Sequence, residues 1–128
     1  MLRALSLFAA LFGAVCMVIA LAHIALGPVA IPGSVPVNAT MDSEDRFYAT
    51  LFLGFGAAMI WCSRALEQRR DLFGALLLIF FLGGIARIVS ALAVGPPDTL
   101  FIVLGGVELL LPPILWILLR RARAQAAS

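Results

Sequence analysis

The chain has no lysine, one histidine, one tyrosine and two cysteines among 128 residues. Charged residues make up 12% of it, against roughly a quarter in an ordinary soluble domain. That shortage excludes a water-facing globule. No GxSxG, HExxH or Walker pattern occurs, so the familiar hydrolase, zinc-protease and nucleotide sites are missing. A lone histidine with scattered carboxylates has no zinc spacing, and no CxxC pair offers thiol–disulfide chemistry. No cofactor is assigned from the residues, and no nucleic-acid partner is expected. What the chain does have is apolar length: 63% of residues are hydrophobic and the mean hydropathy is +1.11.

Apolar runs of about 20 residues cross a hydrocarbon core about 30 Å thick as helices, because lipid offers backbone N–H and C=O groups no partner. Four runs qualify: 4–26, 47–63 extended upstream to 43, 72–94 and 99–119. The expected fold is all-α, a polytopic integral membrane protein built as a single four-transmembrane-helix bundle over 1–128. An outer loop occupies 27–42 and a tail 120–128. All nine basic residues are arginines, and seven of them fall at Arg3, at Arg64, Arg69 and Arg70, or at Arg120, Arg121 and Arg123. With four spans these regions share one side, and the positive-inside rule makes that side, with both termini, cytoplasmic. The expected location is the bacterial inner membrane. The first span resembles a signal peptide around Ala20-Leu21-Ala22, but its apolar run continues to Leu26, so it is read as an uncleaved span. Cys16 and Cys62 lie at different depths and read as small apolar residues.

The third and fourth spans are joined by the tight turn "GPPDT". Arg87 is the only charge in its span, eight residues before Gly95, or about 12 Å below the outer surface at helical rise. Glu108 is nine residues after Thr99, or about 14 Å below the same surface. Opposite charges at one depth on adjoining helices are expected to pair. Gly84 shares a face with Arg87, and Gly105 with Glu108, so the backbones can approach closely. Gly54 and Gly56 offer a smooth face on the second span. Pro112 and Pro113 cannot donate to the carbonyls of residues 108 and 109. His23 lies near the outer end of the first span, and Ser90 lies one turn above Arg87. The loop above carries Asn38, Asp42, Glu44 and Arg46, with Asp42 or Ser43 placed to cap the second helix. His23, Asn38, Asp42, Glu44, Arg46, Arg87, Ser90 and Glu108 are therefore the candidate ligand-binding residues, and none is assigned as catalytic.

Each feature has a plainer reading. The Arg87–Glu108 pair serves equally as a lock between helices, which removes much of the cost of burying either charge. His23 suits an interfacial position, and the acidic run 42–45 suits a solvated helix start. The arginines at 120–123 serve topology, with contact to lipid headgroups.

The segments "VNATMDSEDRFYATLFLGFG", "GGIARIVSALAVGPP" and "GGVELLLPP" resemble a bacterial family of small four-helix membrane proteins known as a domain of unknown function. Its architecture is similar to that of the DoxX-like proteins. The resemblance covers roughly residues 23 to 113 and falls on Asn38, Asp42, Glu44, Arg46, Phe47, Gly83, Gly84, Arg87, Gly105, Glu108 and Pro112. It implies the fold and a membrane location, and no activity. DoxX-like proteins are associated with quinone-linked respiratory chemistry, although no motif here demands a quinone. Three functions remain open. One is binding of a small amphipathic molecule (a lipid, isoprenoid or quinone) in an outward polar pocket. The second is an accessory subunit, packing against a larger membrane complex or against copies of the chain. The third is an enzyme using Glu108 and His23 as acid and base, which a carboxylate committed to Arg87 serves poorly.

Overall fold

The structure, a computed structural model, describes residues 1–126, without the side chains at 123, 125 and 126. It is all-α. Helix α1 spans Leu2–Leu26, a 3-10 turn follows at Gly27–Ala30, and helices α2, α3 and α4 span Ala39–Ser63, Arg70–Val94 and Thr99–Ala126. Three stretches, Leu2–Ala30, Arg70–Val94 and Thr99–Ala122, are long and apolar enough to cross a membrane, and the chain is a small membrane protein. Helix α2 has 25 residues, but its charges crowd the start, and its uncharged part runs only from Phe47 to Ser63.

Two compact units make up the chain: Ser6–Ala65, and Leu66–Ser128 together with Met1–Leu5. In the first, α1 and α2 run antiparallel and touch backbone to backbone. A Cβ placed on Gly13 would lie 2.6 Å from the Gly56 carbonyl oxygen, and one on Gly56 would lie 2.6 Å from that of Gly13. No real side-chain carbon tolerates that separation, so both glycines are required for the contact. Phe12 meets Phe55 edge to face beside it, with centroids 6.4 Å apart. The smooth face expected on the second span is thus taken up at Gly56 by α1, while Gly54 faces open space. Cys16 and Cys62 are buried and free of disulfides.

In the second unit, α3 and α4 form a hairpin. Gly95 ends α3 with φ 111°, a conformation that L side chains rarely adopt. Asp98 starts α4 by accepting the Leu100 N–H at 3.0 Å. Gly84 packs against α4, where a Cβ would meet Leu109 and Glu108 at 2.9–3.1 Å. Pro112 and Pro113 sit inside α4, which continues through them as helix.

Helix boundaries depart from the apolar runs where polar helix formers extend a helix into water. Helix α4 passes its arginines to Ala126, and α3 begins at Arg70. The largest departure is at α2, which starts at Ala39, one turn before the expected 43. Asn38, in extended conformation, accepts the Met41 N–H at 2.9 Å and is the N-cap in place of Asp42 or Ser43. Nothing in Ala39-Thr40-Met41-Asp42 breaks a helix once Asn38 has capped it.

Candidate functional site

Five of the eight candidate residues fall into two groups, one in each unit. The first group closes the end of α1. The last carbonyls of a helix have no intrahelical donor. Here Arg46 reaches over from α2 and donates through Nη1 to the Ile24 and Ala25 carbonyl oxygens, the latter at 3.2 Å. Asp42, one turn before it, holds the guanidinium in a fork, accepting from Nε at 2.8 Å and from Nη2 at 3.2 Å. The hydrogen bond from Arg46 holds the Asp42 carboxyl below its ordinary value of 3.8, outweighing the opposing effect of burial. The same bond raises Arg46. Gly27, with φ 69°, passes directly beneath this fork, where any Cβ would strike Asp42 Oδ1. His23, in the last turn of α1, places Nδ1 3.1 Å from both carboxylate oxygens of Asp45. The Arg46 cation at the C-terminus of α1 also suits the helix dipole. Asp45 was not among the candidates, because its partner lies 22 residues away and no local spacing announces the contact.

The second group lies inside the α3–α4 hairpin. Arg87 Nε donates to Glu108 Oε2 at 2.7 Å. The Glu108 side chain is 10% exposed and that of Arg87 is 38% exposed. The Phe101 ring lies under the guanidinium, its centroid 5.4 Å from Cζ, as in a cation–π contact. Gly105 leaves room for the arginine stem, since its Cβ would lie 3.5 Å from Arg87 Cδ. Phe101 had no sequence signal beyond standing seven residues before Glu108, two turns away on the same helix face. One turn further along α4, Pro112 and Pro113 deny the Glu108 and Leu109 carbonyls their usual helical donors.

The geometry leaves Arg87 only partly used. A guanidinium has five N–H donors. Nε is committed to Glu108, and among the described residues no acceptor takes a hydrogen bond from Nη1 or Nη2. Arg87 is thus anchored through Nε, stacked on one face, and open at Nη1 and Nη2.

The remaining candidates stand apart. Asn38 is exposed and spends its side chain on the α2 cap. Glu44 and Ser90 are exposed, and their side chains make no hydrogen bond or ion pair among the described residues. No three His, Cys, Asp or Glu side chains converge among the described residues.

Comparison with curated proteins found no match. Comparison with solved structures found none either. A family model does match, over residues 4–119, and these residues include the Arg87–Glu108 pair and most of both helical units. The chain therefore belongs to the family described as domain of unknown function (DUF4345).

Proposed function

We propose that this protein binds a small amphipathic molecule through Arg87, in the inner membrane of a bacterium, with both termini cytoplasmic. The observation that carries the reading is the half-used guanidinium: Nε fixed by Glu108, the plane stacked on Phe101, and Nη1 and Nη2 without a protein acceptor. In a span of such low polarity an unmatched N–H costs several kcal/mol, so these donors select a ligand that brings acceptors. A phosphate, carboxylate or quinone carbonyl supplies them, and an apolar tail keeps the ligand in the bilayer. Glu108 acts as a positioning residue that aims the guanidinium. His23, Asp42 and Arg46 serve this function indirectly, by fastening α1 to α2.

The test is native mass spectrometry of the protein released from mild detergent. The wild type is expected to carry a small amphiphile. Arg87→Lys keeps the charge but loses the planar fork, so it should retain about tenfold less of that molecule, with helicity unchanged. Glu108→Gln should act in the same direction. Equal retention by wild type and both variants would refute the reading.

An accessory-subunit role has one observation in its favour. Gly54, Gly83 and Gly106 each face open space, which leaves bare helix backbone for another helix to approach. A stoichiometric protein partner in the same spectrum, with no small molecule, would favour it.

A further inference from the structure

A second feature of the α3–α4 hairpin lies on the other side of α3 from Arg87. Leu78 and Arg87 are nine residues, or about two and a half turns, apart, which places them on opposite faces. On the Leu78 face an open groove of about 510 Å³ runs between the helices, lined by Gly74, Leu78, Phe81, Pro112, Pro113 and Trp116, with Asp71 at its rim. The groove exists for a local reason. Gly74 has no side chain, and the Trp116 indole lies against the space a Cβ would need. The two prolines thin the opposite wall, since neither ring extends far from the helix.

The end of this groove is basic. Arg70 directly precedes Asp71 and contacts it at 3.5 Å, while Asp71 itself is almost fully exposed. Arg120 is exposed and follows Trp116 by one helical turn, on the same face. From Leu66 onward this end carries Arg69, Arg70, Arg120 and Arg121 against Glu67 and Asp71. An apolar trough ending in a tryptophan and an excess of arginine matches one kind of molecule in a membrane.

We infer that the groove binds an anionic phospholipid, with an acyl chain along Gly74, Leu78 and Phe81 and the phosphate held by Arg70 and Arg120. Arg70 and Arg120 stand next to the lining residues Asp71 and Trp116 in the chain and outnumber the single lining carboxylate, Asp71, which points to an anionic occupant, and the groove separates this site from a diffuse attraction to the membrane surface. The site is distinct from the one at Arg87, because neither Arg87 nor Glu108 lines the groove.

The experiment presents the detergent-purified full chain with equal amounts of phosphatidylglycerol and phosphatidylcholine and counts lipid adducts by native mass spectrometry. Phosphatidylglycerol should be retained in preference, with each arginine contributing about fivefold. The double variant Arg70→Gln/Arg120→Gln should lose the preference. Ala75→Trp, which fills the groove from an exposed position, should lose the adduct while circular dichroism shows unchanged helicity. Arg87→Lys should leave this adduct intact, which keeps the two sites distinguishable. Equal binding of the two lipids by the wild type overturns the inference. So does a preference that survives the arginine changes, or an adduct indifferent to Ala75→Trp, since the contact is then to the headgroup alone. A dimer in place of the lipid adduct, dissolved by Ala75→Trp, also overturns it by seating a second copy in the groove.

Discussion

Glu108 and Arg87 do not share the risk of their pairing equally. The carboxylate is nearly enclosed, whereas more than a third of the guanidinium side chain is open. Removing Arg87 strands a buried charge, a loss of about 3 kcal/mol at the lower end of the usual range. Removing Glu108 leaves a cation that can turn outward, so the cost is smaller. Arg87→Met should therefore destabilise the protein more than Glu108→Met, and the double change should cost less than Arg87→Met alone. Denaturation of the four proteins in one detergent measures this, and additive losses would show that the two side chains are energetically independent. The Asp42–Arg46 fork has a pH signature of its own. The folded carboxyl sits below 3.8, so its contribution is complete above that value and is lost as the pH falls through the depressed folded one. Hydrogen-exchange protection around residues 24–31 should hold level from pH 7 to about 5 and weaken only well below 4. Asp42→Asn should show weaker protection at neutral pH and little further change on acidification.

The helices show what a sequence of this kind reveals and what it conceals. Apolar length marked α1, α3 and α4 because a membrane span depends on composition over many residues, not on particular contacts. The Arg87–Glu108 pair was also legible, since a tight turn fixes the relative depth of two antiparallel helices and only one charge of each sign lies at that level. The α2 start was not: capping by Asn38 depends on a backbone conformation that the residue types only permit. His23 with Asp45 and Arg46 with the α1 carbonyls were hidden for another reason, as each joins positions more than 20 residues apart across an irregular connection. Helix α2 also decides the topology. Its uncharged 17 residues span about 26 Å, at the lower limit for a crossing. If α2 crosses, Ser34→Cys should react with an impermeant thiol reagent on intact cells, and Gln68→Cys only after permeabilisation. Reaction of Gln68→Cys alone would reverse the orientation, and equal reaction of both would mean that α2 does not cross.

At the scale of the molecule, polarity is spent sparingly and in distinct places. One cluster fastens α1 to α2, the Arg87–Glu108 salt bridge joins α3 to α4, and arginines gather where α3 begins and α4 ends. The first is accounted for by helix ends that need closing. The Arg87–Glu108 bridge leaves donors unspent well inside a span, about 12 Å along α3 from its turn. A lock between helices accounts for the Nε–Glu108 bond but not for the open Nη1 and Nη2 of Arg87. The most direct measurement is an electron cryomicroscopy structure of the protein extracted with its native lipids, with map density inspected around Nη1 and Nη2 of Arg87. The account predicts non-protein density at hydrogen-bonding distance from these atoms, continuing into an apolar tail. Acceptors supplied there by a neighbouring protein chain, or side chains packed solid around the guanidinium, would contradict it.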